Sequence, residues 1–272
     1  MENLDRSVAT LEGLKAAFVE LGLEEGDICL FHSSFKSLGH VVGGAQTVID
    51  AFEDVLGKDG TLVAPTLSNV DFTNSYKTWY MDKPSGVGYL TEYFRKQTFV
   101  YRSDHPTHSV AARGKLAYEL TFEHGWRGPH LCPFGEYAFA DSSPWVKMDE
   151  KNAKIVFIGV TMLYNTMKHV VEGRLVEHFL SKVESEEKKA SLVARLKKFG
   201  SDEGIWPFYN SVKMQDRLDA LGLVRHTFCN GAELLCVDAK DTNKAAFDIL
   251  LNEYESWYKE PVVAWIKDCL EG

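Results

Sequence analysis

The chain has 272 residues, 45% of them apolar and 25% charged, proportions that exclude a disordered, collagenous or coiled-coil protein. Thirty Lys and Arg against 39 Asp and Glu leave a net charge of −9, which disfavours nucleic acid as a partner and suits a cationic one. The five cysteines, Cys29, Cys132, Cys229, Cys236 and Cys269, include no CxxC pair, so neither a disulfide framework nor a zinc ribbon is expected. The first residues lack a basic segment followed by an apolar one, so no signal peptide is expected. The apolar run Ile155 to Leu163 is too short to span a bilayer. One large domain or two closely joined ones both fit this length, in a reducing cytoplasm.

In chain order, Leu11, Leu14, Phe18 and Leu21 follow helical spacing, with Ser7 or Thr10 as N-cap. Asp27 to His32 reads as a buried strand, followed by a loop from Ser33 to Gly39. Gly43-Gly44 opens a helix whose apolar face carries Val48, Ile49, Phe52, Val55 and Leu56. After the turn 57–60, Thr61 to Ala64 is a second strand, and a strand–helix–strand unit favours parallel pairing. Residues 66–86 read as a polar and aromatic loop, Val87 to Lys96 as a helix, Tyr101 to Ser109 as irregular and Arg113 to Glu123 as a helix. Residues 124–144, punctuated by Gly and Pro, read as a long ordered loop. Lys154 to Val160 is the clearest strand. Helices follow over Thr166 to Leu180 and Glu184 to Lys198. Val224 to Phe228 and Glu233 to Val237 pair across Asn230-Gly231, and helices over Asp241 to Tyr258 and Val262 to Leu270 close the chain.

Three polar constellations are chemically suggestive. Thr166, His169 and Glu172 share one helix face just past a strand end, where open α/β sheets build their sites. A His with a carboxylate three residues on suits a general base, and it equally suits a surface ion pair. Arg102, His105, His108 and Ser109 crowd a proline-containing loop, a donor set for phosphate or carbonyl oxygens or a brace for the fold. His32-Ser33-Ser34 and Gly43-Gly44 form a hydroxyl-rich turn followed by glycines, an anion cradle or simply a tight turn. There is no GxxxxGK[ST], GxGxxG, GxSxG or HExxH, and no tight metal-ligand cluster among the nine histidines, so no metal is expected. Trp79, Tyr80, Trp126 and Trp206 line a pocket or anchor their loops.

Taken in order, Phe31 to Gly39, Gly43 to Ala45, Leu56 to Thr66, Thr91 to Arg95, Arg102 to Val110, Ala112 to Gly114, Pro133 to Gly135, Ser143-Pro144, Ile158 to Val160 and Asn165 to Glu172 resemble the aminoglycoside N3-acetyltransferase family. The likeness covers roughly residues 10–180. It implies a single domain over 1–272, with 181–272 a helical and hairpin C-terminal portion, in an α/β (α+β) fold with a central mixed, partly parallel sheet flanked by helices. It also implies direct transfer from acetyl-CoA to the 3-amino group of a 2-deoxystreptamine antibiotic, with a small cationic amine as partner, no metal, no membrane and room for a homodimer. Carried over, His169 is the general base and Glu172 orients it. His32, Ser33, Ser34, Thr66, Arg102, His105 and Ser109 hold the cosubstrate, and Asp71 and Asn165 meet the acceptor. The stretch Ser68 to Phe72 is poorer in acid than the family pattern, which keeps open a different small amine as acceptor, or a non-catalytic homologue that binds CoA or another ligand.

Overall fold

A computed structural model describes residues 8–68 and 72–271. In chain order the elements are α1 (Leu11–Glu20), β1 (Ile28–Ser33), α2 (Ala45–Leu56), β2 (Thr61–Pro65), α3 (Phe72–Thr78), α4 (Tyr89–Arg95), β3 (Tyr101–Arg102), β4 (Val110–Gly114), α5 (Ala117–Thr121), α6 (Pro144–Glu150) and β5 (Lys154–Ile158). They continue with α7 (Lys168–Leu180), α8 (Glu186–Ala194), α9 (Ser211–Ala220), β6 (Arg225–Cys229), β7 (Ala232–Asp238), α10 (Ala239–Trp257) and α11 (Glu260–Leu270). The strands form one seven-stranded sheet in the order β3-β4-β2-β1-β5-β7-β6. β1 lies parallel to both β2 and β5, and the outer pairings are antiparallel. This is the mixed, partly parallel sheet expected.

The central strands are apolar throughout because both faces are covered. Successive residues point to opposite sides. Ile28, Leu30, Val63, Ile155 and Phe157 pack under α6, α7, α10 and α11. Cys29, Phe31, Leu62, Val156 and Ile158 pack under α1, α2 and α4. On the second face the Phe18 and Phe52 rings stack at 3.9 Å, with Phe31 5.6 Å from Phe52. Thr10 caps α1, its hydroxyl accepting from the Gly13 N–H at 3.1 Å. Asn230 and Gly231 both have positive φ, 48° and 82°, the twist a two-residue hairpin needs between β6 and β7.

Several local expectations are corrected. Val110–Gly114 is a strand and only Ala117–Thr121 is helical within 113–123, because pairing with β2 outweighs the helix preference of Ala-Ala-Arg. Tyr101–Arg102 adds a short edge strand to what reads as irregular chain. The segment 66–86 contains the helix Phe72–Thr78. Helices Pro144–Glu150 and Ser211–Ala220 escaped the reading, although Ser143 and Asn210 cap them.

Candidate active site

The three parallel strands end on the same edge, and β1 is where the connections part. The crossover through α2 reaches β2 on one side, and the later chain returns to place β5 on the other. Such a point leaves a crevice beyond the strand ends. Here it is a cleft of about 370 Å³ lined by His32, Ser33, Ser34, Pro65, Leu67 and Thr166, among others. His32, the fifth residue of β1, faces the α7 side and stacks on Phe157 at 5.3 Å. It is 6% exposed, and its Nε2 has no partner among the described residues. Burial pushes its pKa down to about 3, so the ring is neutral. The Ser34 N–H donates to the Ile158 carbonyl at 2.8 Å, fixing the turn to the end of β5. Gly159 follows with φ 59°, and a Cβ there would sit 1.8 Å from Ser37 Oγ. This is close approach that only glycine permits.

Past β5 the chain turns through Met162–Tyr164 to Asn165, whose Oδ1 accepts the Met167 N–H at 3.1 Å and opens α7. Asn165 is buried in that role. Thr166 lines the cleft, and its carbonyl accepts the His169 N–H at 3.2 Å. His169 therefore lies one turn from the cleft. Its Nδ1 meets Glu172 Oε2 at 2.7 Å. Glu172 is fully buried and also accepts from the Trp206 indole N–H at 3.3 Å. A carboxylate on Nδ1 fixes the tautomer with Nδ1–H as donor and leaves the Nε2 lone pair available. The ring is held edge-on against Phe134 at 4.6 Å and Phe208 at 6.0 Å, with Phe139 tilted at 5.5 Å. His108 sits 5.9 Å away, its pKa held well below the ordinary value by burial and then by His169. Burial, reinforced by the Glu172 charge, raises the pKa of Tyr209 and Tyr258, so neutral phenols surround the carboxylate.

A second cavity, about 250 Å³, reaches His169 from the other side and includes His130, Cys132, Asp141, Glu150 and Glu177. His130 bridges Glu177 Oε1 at 2.7 Å and Asp141 Oδ1 at 2.8 Å. Those carboxylates, Glu177 foremost, raise its pKa to about 9.

The expected cosubstrate residues are distributed over three places. His32, Ser33 and Ser34 line the cleft. Thr66, Arg102 and Ser109 bond to one another instead: the Thr66 and Ser109 hydroxyls are 3.0 Å apart, and Arg102 donates to the carbonyls of Thr66, Met81 and Lys83. Burial lowers the Arg102 pKa to about 10, and its plane lies 4.7 Å over Trp79. His105 stacks on His124 at 4.6 Å and takes the Thr107 and His108 N–H groups on Nδ1, so Nε2–H faces Tyr76 Oη at 3.2 Å. Gly43-Gly44 opens α2 away from the cleft lining. Asp71 lies outside the described residues. In the sequence Trp206 reads as a pocket liner or a loop anchor, Phe134 falls only within the run Pro133 to Gly135, and Phe208 and Tyr258 carry no mark, because nothing local to these residues announces His169 or Glu172 as a neighbour. No group of His, Cys, Asp and Glu among the described residues is arranged to hold a metal ion.

A family model described as aminoglycoside 3-N-acetyltransferase matches residues 30–250. The chain belongs to this family. Aminoglycoside N(3)-acetyltransferase VII of Streptomyces paromomycinus is 31% identical over 171 residues, covering 56% of this chain and 56% of the relative. An aminoglycoside N(3')-acetyltransferase-like protein of the SPbeta prophage in Bacillus subtilis is 30% identical over 186 residues, covering 60% and 63%. The chain thus spans about three fifths of the length of the curated relatives it matches. Among solved structures, the aminoglycoside acetyltransferase AAC(3)-IVa apoenzyme superposes with a TM-score of 0.70 at 19% identity, covering 98% of this chain and 99% of that one. The AAC-IIIb binary complex with CoASH gives 0.69 at 18% identity, covering 93% and 99%. The fold class expected from the sequence is the one found. No helix among the described residues is long and apolar enough to cross a membrane.

Proposed function

We propose that the protein is an acetyl-CoA-dependent N-acetyltransferase acting by direct transfer, with His169 as general base and Glu172 as its orienting carboxylate. The supporting observation is the His169–Glu172 pair, held at 2.7 Å with the carboxylate fully buried, one turn from the strand-end cleft. The cleft fits a long polar cosubstrate: it combines the Ser33 and Ser34 hydroxyls, Thr166 and a neutral buried His32 with an unsatisfied Nε2. When bound, acetyl-CoA would supply an acetyl group activated as a thioester.

The rest is the chain's chemistry. An ammonium cannot attack a carbonyl, so Nε2 of His169 first takes one proton from it; the free amine then forms the C–N bond as the C–S bond breaks, the electron pair leaves on sulfur, and the nitrogen's second proton passes to that sulfur to give the amide and the CoA thiol. Glu172 stabilises the imidazolium that results. The aromatic walls of Phe134, Phe139 and Phe208 keep water from competing for that proton and fix the ring plane. No enzyme nucleophile takes part.

The acceptor the family points to is the 3-amino group of a 2-deoxystreptamine aminoglycoside, which would make the protein a resistance enzyme. Glu150 at the cavity beside His169 supports a cationic acceptor, whereas Asp141 and Glu177 there are already paired with His130. Acetylation of a different small amine is the second reading, favoured by the apolar groove that Trp206 lines beside Glu172. Replacement H169A is expected to lower the rate of CoA thiol release by about 10²–10⁴-fold. Heat protection by acetyl-CoA should survive in that variant. Near-normal turnover would refute the mechanism.

A further inference from the structure

The largest groove near the pair, about 680 Å³, has walls of a kind a polycation does not need. Its lining includes Tyr76, Leu131, Cys132, Phe199 and Trp206. Tyr76 and Phe199 pack edge to face at 4.8 Å. The Tyr76 phenol and the Cys132 thiol carry no charge: burial pushes both up to about 12.

The groove also belongs to the reaction centre. Trp206 donates to Glu172, and Leu131 and Cys132 line both this groove and the cavity that contains His169. A molecule with its amine at His169 can therefore lay its body along the same wall.

The charged groups on the lining are Lys77, Lys197, Lys198 and Glu136. None of the three lysines is in an ion pair among the described residues. Unpaired ammonium groups repel a molecule carrying several of its own and attract an anion. An apolar trough with cations at its edge selects for an amphipathic ligand with a negative end.

We infer that the acceptor is a primary amine with an aryl or alkyl body and an anionic terminus, the body lying against Leu131, Phe199 and Trp206 and the anion meeting Lys197 and Lys198. This rests on the acetyl-transfer reading and narrows it, in place of a polyamino sugar. The amine end meets the cavity at His169, where Glu150 is the carboxylate His130 does not engage, so the two ends of the molecule meet groups of opposite charge.

The test compares three acceptors with acetyl-CoA: 4-phenylbutylamine, 4-(4-aminobutyl)benzoate and kanamycin. Thiol release and thermal shift are read separately. The carboxylated amine should show a kcat/KM about 10-fold above its uncharged analogue, the scale of one or two surface charge contacts. In K197E/K198E that ratio should invert. A preference for kanamycin, or no discrimination between the two arylalkylamines, overturns the inference and leaves acetyl transfer by His169 standing. If no amine turns over while the carboxylated one still raises the Tm of wild type but not of K197E/K198E, the groove assignment holds and the acetyl-transfer reading falls. If no such shift occurs either, the groove assignment falls with it.

Discussion

Glu172 is fully buried and holds Nδ1 of His169 at 2.7 Å. Replacement E172Q keeps the shape and removes the charge. An amide can present either an acceptor or a donor to Nδ1, so the tautomer is no longer imposed and the imidazolium loses its counter-charge. The expected outcome is a fall in kcat of about 10²-fold or more, with a Tm within a few degrees of wild type and retained heat protection by acetyl-CoA. Steady-state kinetics beside a melt checks it. This pair was legible in the sequence because its spacing is local: three residues apart on one helix, past a strand end. Arg102 was legible only as a donor in a polar loop. What it does depends on the carbonyls of Met81 and Lys83, about twenty residues away, and no spacing rule encodes them. Trp206, 34 residues beyond Glu172, is a contact of the same kind.

At the scale of elements, the loop 124–144 is tied to α7 through His130. The folded pKa of about 9 lies above the ordinary histidine value of about 6.5. The stabilisation is thus fully present below about pH 6.5 and is lost as pH rises through about 9. With the side chain 29% exposed, solvent screening reduces it to about 1–2 kcal/mol. Raising the pH from 6.5 to 10 should cost wild type about 2–6 °C more in Tm than H130N. A second element-level prediction concerns the turn after β5. G159A forces a Cβ onto Ser37 at a positive φ and should destabilise by about 1–3 kcal/mol, seen as a lower denaturant midpoint. The elements the sequence hid are those decided by partners. Val110–Gly114 is a strand because β2 lies beside it and both its faces are covered, and no periodicity over five residues distinguishes that from a helix start. The helix Ser211–Ala220 is the exception, since the Asn210 cap with Met214 and Leu218 four apart is a local signal.

Across the molecule, four histidines are buried in neutral form. Burial lowers His32 and His105 to about 3, and His108 and His124 also fall well below the ordinary value. The unfolded chain binds protons at these sites below about pH 6.5 and the folded one does not, so stability falls as pH drops from there towards 3. Each histidine protonated only on unfolding contributes up to about 1.4 kcal/mol per pH unit. Urea midpoints should drop steeply between pH 6.5 and 5, and H124N should show a shallower slope. An unchanged slope would mean that His124 takes up its proton in the folded state.

The parallel pairing of β1 with β5 sets Cys29 beside Lys154, partners far apart along the chain. During synthesis β1 emerges well before β5 and waits for it, while closing so large a loop slows the search. The crevice beyond these strands does not exist before then. A ligand of that crevice therefore cannot rescue a chain still lacking β5, and any benefit it brings to yield acts by mass action on the finished fold.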